Sequence, residues 1–247
     1  MGAAYDSLRQ YQKSIECHHQ SLEICREIGD RGGEAISLGN LGNAYDSLGQ
    51  YQRAIEFHQQ SLDIKREIGD RRGEANSLGG LGLAYRSLGQ YQRAIEFHQQ
   101  SLDIAREIGD RRGEAISLGN LGNAYDSLGQ YQRAIEFHQQ SLDIKREIGD
   151  RGGEALALQN LAVSLNKAGR AREGFAAGMQ AQEIRQELDL PFDAYPYPKW
   201  MKSLIKFAKR SKWHLALCFV AGVVAFPFAL VWGVVLIGFR WLRSIKN

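Results

Sequence analysis

The stretch EAISLGNLGNAYDSLGQ at Glu34–Gln50 recurs letter for letter at Glu114–Gln130, and Tyr51–Asp70 recurs at Tyr131–Asp150. A slightly altered copy occupies 71–110, so the chain is a tandem array with a 40-residue period. Such a unit buries its apolar face only against its neighbours, which makes a stacked solenoid the expected architecture. Near-identical units are also a poor way to build a catalytic centre, which needs unlike groups converging on one point. No enzyme is expected.

Each period reads as two helices, over Gly33–Leu48 and Tyr51–Ile68. Gly49 and Gly69 follow their last apolar residues, where a left-handed cap wants glycine. Glu34 in the first turn of one helix, and Lys65 and Arg66 in the last turn of the other, oppose the helix dipoles. The Gly49-Gln50 connection is short enough to force an antiparallel hairpin. On the first helix Leu38, Leu41, Ala44, Tyr45 and Leu48 share one side, and Gly42 among them lets the paired helix approach closely. The second helix carries two stripes, Tyr51, Ile55, His58 and Leu62, then Ala54, Phe57, Ser61, Ile64 and Ile68. One stripe serves its own hairpin and the other serves the next unit.

Leu38-Gly39-Asn40-Leu41-Gly42-Asn43-Ala44-Tyr45, followed by Leu48-Gly49-Gln50-Tyr51 and Ala54-Ile55, resembles the tetratricopeptide repeat, more narrowly its 40-residue Leu-Gly-Asn variety. The resemblance covers residues 1 to about 189 and returns in register three times. It implies an all-α, right-handed α-α superhelical solenoid. It also implies that the second face of each first helix lines a concave groove that takes a peptide or protein partner. Unit five departs from the pattern, with Ala162, Leu165 and Gly174 at the positions of Gly42, Tyr45 and Ala54, as a capping repeat does. Met1 aligns with Leu41, so the first unit lacks most of its first helix.

Units two and three differ at six positions: Gly32/Arg72, Ile36/Asn76, Asn40/Gly80, Asn43/Leu83, Asp46/Arg86 and Lys65/Ala105. Four of these, at offsets 0, 4, 7 and 10 of the first helix, span an arc of about 120° opposite the packed residues. Two readings stand: a stripe that recognises a ligand, or exposed positions free to drift. Against drift, the polar face of the second helix (Gln52, Arg53, Glu56, Gln59, Gln60, Asp63) is unchanged in all three copies. The candidate partner-binding residues are therefore Ile36, Asn40, Asn43, Asp46, Asn76, Leu83, Arg86, Ile116, Asn120, Asn123, Asp126 and Asn160. The amides can donate to and accept from a peptide backbone. Asp46, Arg86 and Asp126 alternate in sign at the groove edge, one stacking step apart. They are expected to lie too far from one another to neutralise, and so to set a partner's register.

His58, His98 and His138 repeat at the period, too far apart to share a metal, and read as buried packing residues. The Asp-Arg dipeptides at 30, 70, 110 and 150 read as inter-unit loop, the Asp close to a helix start. No phosphate loop, catalytic triad or cofactor motif stands out, so no metal and no cofactor are expected. Cys17, Cys25 and Cys218 form no disulfide or ligand pattern.

Charge divides the chain. Residues 1–198 carry 22 Lys and Arg against 28 Asp and Glu, a balance of −6, whereas 199–247 carry nine basic residues and no acid. The basic excess belongs to a tail rather than to a nucleic-acid surface. After the repeats (1–30, 31–70, 71–110, 111–150, 151–189) comes a Pro-rich linker, 190–198. The segment 199–212 follows, with Met201, Leu204, Ile205 and Ala208 on one side and Lys202, Lys206, Lys209, Arg210 and Lys212 largely away from it. It reads as a basic helix on anionic headgroups or as a solvated linker. Residues 213–239 hold no Asp, Glu, Lys or Arg. Leu215–Phe239 would run about 37 Å as a helix against a hydrocarbon core of about 30 Å. Trp213 and Trp241 flank the run and 240–247 closes it in basic residues, the layout of a C-terminal anchor with the repeats facing the cytoplasm. Pro227 leaves a re-entrant hairpin open. The expected function is a membrane-tethered interaction scaffold. The alternatives are a self-assembling structural array and an accessory part of a larger signalling protein.

Overall fold

Each period opens on an aspartate whose carboxylate folds back onto its own helix. Asp30, Asp70, Asp110 and Asp150 accept from the backbone N–H groups of Gly33, Gly73, Gly113 and Gly153 at 2.8–3.0 Å. This satisfies one of the donors that every helix start leaves open. The first helix therefore begins at Arg31, two residues before the expected Gly33. The Asp-Arg dipeptide is a cap followed by the first helical residue rather than loop.

The computed structural model describes residues 10–189, in which there are nine helices of 17 residues and no strand: α1 (Tyr11–Glu27), α2 (Arg31–Ser47), α3 (Tyr51–Glu67), α4 (Arg71–Ser87), α5 (Tyr91–Glu107), α6 (Arg111–Ser127), α7 (Tyr131–Glu147), α8 (Arg151–Lys167) and α9 (Ala171–Glu187). Gly69 at φ +71° closes α3. Its N–H reaches the carbonyl of Arg66, and the Asp70 N–H reaches that of Lys65 at 2.9 Å, a pair of hydrogen bonds that a left-handed residue permits. Leu48 and Ile68 fall at these caps and remain 38% and 42% exposed, so they border the packed stripes assigned above rather than lie within them.

The helices pack as an unbroken series. α2 and α3 form a hairpin, α4 and α5 the next, then α6 with α7 and α8 with α9, and each second helix also packs on the first helix that follows it. Leu41, Leu81 and Leu121 are fully buried at the centre of these layers, where truncation to Ala costs about 2–5 kcal/mol. Tyr45, Tyr85 and Tyr125 stack on Phe57, Phe97 and Phe137 within their hairpins, ring centroids 5.2 Å apart.

Between units the contacts are polar and periodic. The Ser61 hydroxyl lies 3.0 Å from that of Ser77 and donates to the carbonyl of Ala35 at 2.8 Å; Ser101 repeats both contacts with Ser117 and Ala75. Buried Glu74 accepts from Arg66 of the preceding helix at 2.8 Å and from Arg71 of its own, and Arg71 also grips Glu107. Arg111 with Glu114 and Glu147, and Arg151 with Glu154 and Glu187, reproduce the arrangement. Burial lifts the Glu74 carboxyl pKa, but the two guanidiniums outweigh it and hold the group below its ordinary value.

Adjacent first helices meet: α2 touches α4, α4 touches α6 and α6 touches α8, while no two adjacent second helices make comparable contact among the described residues. The stack is therefore drawn together along the side of α2, α4, α6 and α8, which makes that side the inner wall. No described helix is long and apolar enough to cross a membrane. The linker, the basic segment with Lys202, Lys206, Lys209, Arg210 and Lys212, and the 213–239 run lie outside the described residues.

Candidate interaction surface on the inner wall

Among the described residues, cavities open along the inner wall between successive first helices. Ile36, Asn40, Asn43 and Asn76 line the one between α2 and α4. Asn43, Asn76, Leu83, Ile116 and Asn120 line the one between α4 and α6. Ile116, Asn120, Asn123 and Asn160 line the one between α6 and α8. Nine of the twelve residues singled out from the sequence are thus brought together on one surface. Ile36, Ile116 and Leu156 project from it, each more than half exposed.

The remaining three, Asp46, Arg86 and Asp126, line none of these cavities, and their charges are not idle. Asp126 forms an ion pair with Lys167 at the end of α8. Burial raises the Asp46 carboxyl pKa, and the field of Arg86 partly opposes that rise. Asp126 is thus held by a lysine of the next first helix rather than left to a partner, and the field of Arg86 reaches Asp46 without outweighing its burial. Neighbouring first helices come close enough for their C-terminal turns to communicate.

Two residues that the helical arc left out belong to the surface. Arg72 lines both of the first two cavities, and position 65/105 forms part of their floors, as Lys65 in one and Ala105 in the other. The Lys65 ammonium is buried and donates to Asp70 at 2.7 Å, and Lys145 does the same to Asp150. That contact, with the Gly73 N–H, keeps the Asp70 carboxyl below its usual range. Where Ala105 stands, Asp110 is engaged instead by Arg72 at the start of α4, Nε to Oδ2 3.3 Å. The signal for both residues was already in the repeat comparison, because five of its six differences border these cavities. Helical periodicity could not place them, since one lies on the second helix and the other at a helix start.

The histidines fill the hairpins behind the wall. The His58 ring sits between Gly42 and Gly80, so close that a Cβ on either would approach it to 2.5–2.7 Å. His98 and His138 sit likewise against Gly82 and Gly122. Burial lowers each imidazole pKa to about 4, helped at His98 by Arg86 and opposed at His138 by Asp126. Among the described residues no three His, Cys, Asp or Glu side chains converge as a metal site.

A family model for the tetratricopeptide repeat matches residues 1–67 and 70–147. No curated protein sequence matches the chain. Its fold is similar to that of BtubC from P. vanneervenii, with a TM-score of 0.67 at 21% identity over 80% of this chain and 81% of that one. It is also similar to a putative kinesin light chain with nearly identical TPR-like repeats from Podosopora anserina (TM-score 0.61, 23% identity, 76% of this chain and 92% of that one). A third likeness is to a Rap protein complexed with competence and sporulation factor (TM-score 0.65, 17% identity, 75% of this chain), of which this chain spans only 52%.

Proposed function

The chain belongs to the tetratricopeptide repeat family, and from that premise we propose that it is a non-catalytic scaffold holding a protein or peptide segment on its inner wall. The observation that carries this reading is the convergence of the repeat differences. Positions 72, 36/76, 40/80, 43/83 and 65/105 gather around cavities of one surface, while the polar outer face of α3, α5 and α7 does not change. Drift has no reason to respect that boundary. The Asn amides supply paired donors and acceptors for an extended backbone. The Rap protein of similar fold is itself complexed with another factor, which supports reading the wall as a receptor.

The scaffold acts at a membrane in this reading. The charge-free run 213–239 is its anchor, Lys202, Lys206, Lys209, Arg210 and Lys212 lie on anionic headgroups, and the right-handed superhelix faces the cytoplasm. A cysteine introduced at Asn247 then reacts with an impermeant maleimide from the outer side. Reaction only after the membrane is opened would replace the single span by a hairpin turning at Pro227. For the wall, the combined variant Asn43→Ala, Arg86→Glu and Asn123→Ala keeps the helical circular dichroism and loses cross-linked partners from cells. Undiminished capture by this folded variant would remove the wall from the account.

A further inference from the structure

We propose that the cavity between α4 and α6 is the anchor pocket of the wall, taking one aliphatic side chain of an extended, uncharged partner segment, while its two sister cavities present a paired lysine at the corresponding place. This rests on the wall reading above and deepens it.

The three cavities are equivalent by repeat but differ in their floors. In the outer two, a buried lysine crosses the floor to an aspartate, Lys65 to Asp70 and Lys145 to Asp150, each 2.7 Å long. The lysine stem fills the space beside the next helix start, so a Cβ on Gly73 or Gly153 would meet the Cδ at 2.5 and 2.7 Å. In the middle cavity Ala105 ends that reach. A Cβ on Gly113 would stand an ordinary 3.5 Å from the Ala105 methyl. The Ala105 methyl shares this lining with Leu83, Ile108 and Ile116, and the isoleucines equivalent to Ile108 line neither sister cavity. At position 65/105/145 the lining is thus a methyl group in the middle cavity and a paired lysine in each of its sisters.

Charge sharpens the choice. Arg72 and Asp110 at the middle cavity engage each other, so a charged side chain entering there finds no unpaired counter-ion and loses its water. Asn43, Asn76 and Asn120 surround the same opening and suit the backbone on either side of the anchor. An uncharged, branched aliphatic group matches both conditions.

The test pans phage-displayed nonapeptides on the full chain in lipid nanodiscs and then measures one recovered peptide. The decisive variant is Ala105→Lys, which installs the residue that the flanking repeats already hold above an identically placed aspartate. Wild type is expected to recover peptides sharing one aliphatic position. Ala105→Lys weakens them by about tenfold or more, and replacing that peptide position by Gln weakens wild type similarly but adds little to the variant, the coupling expected of a direct contact. Lys145→Ala recovers peptides with a second aliphatic position about three residues along, one stacking step of extended chain. Unchanged affinity in Ala105→Lys, recovered peptides without a shared aliphatic position, or no recovered peptide at all overturns the pocket. Peptides that ignore Ala105→Lys yet lose binding in the Asn43→Ala, Arg86→Glu, Asn123→Ala variant leave the wall standing without this anchor. Peptides indifferent to both remove the wall as well.

Discussion

Gly42 and His58, repeated as Gly82 with His98 and Gly122 with His138, make one fitted pair in each hairpin, and the fit dictates how the chain responds to acid. The rings of His58, His98 and His138 are almost wholly buried, and Nδ1 of each has no hydrogen-bond partner. An unfolded histidine takes a proton near pH 6.5, whereas these resist until about 4. The folded pKa lies below the unfolded one, so stability is intact above pH 6.5 and drains away as pH falls towards 4. The full loss is on the order of 3 kcal/mol for each imidazole. The Glu74 class also loses stability on acidification, but below its ordinary value of 4.5, so the two windows separate. Denaturant titrations at pH 7, 5.5 and 4 should show most of the first loss before the second begins; imidazole resonances titrating near 6.5 would refute it. At the same pair, Gly82→Ala drives a methyl into the His98 ring and should cost about 1–3 kcal/mol by overpacking, read as a lower melting temperature.

Helix starts show how one substitution changes the role of its neighbour. Asp70 both caps α4 and neutralises buried Lys65, whereas Asp110 caps α6 above Ala105 and meets only the largely exposed Arg72. Asp110→Ala should therefore cost about the 1 kcal/mol of a lost cap. Asp70→Ala adds an unpaired buried ammonium and should cost about 1–3 kcal/mol more. Equal losses in urea unfolding would mean that Lys65 finds water once its partner is gone. Most of this element-level structure was legible beforehand, because capping residues, Gly69 and the apolar spacing are local signals. The start at Arg31 was not, since the Asp30-Arg31 dipeptide reads as loop until the Asp30 carboxylate is seen to accept from the Gly33 N–H.

At the scale of the molecule, stability is a sum of hairpins and of the interfaces between successive ones. Residues 31–110 form two whole units, and their removal joins Asp30 to Arg111, the same dipeptide that is cut. The shortened chain should remain helical, with a smaller dependence of unfolding free energy on denaturant because less surface is buried. It should also lose the middle cavity, whose lining comes from α4 and α5 as well as α6. A shortened array that fails to fold would show coupling beyond nearest neighbours.

The amino-acid sequence alone determined the repeat, its two helices, the packed faces of Leu41 and Tyr45 and the burial of the histidines, because each follows from spacing within one helix or from the period itself. It also separated the wall residues Asn43 and Leu83 from the core. Only the stacked structure decided that Ala105 and Arg72 border the same cavities, and that Asp126 is held by Lys167. Those contacts join side chains about 40 residues apart through the distance between neighbouring helices, a quantity that no helical period contains.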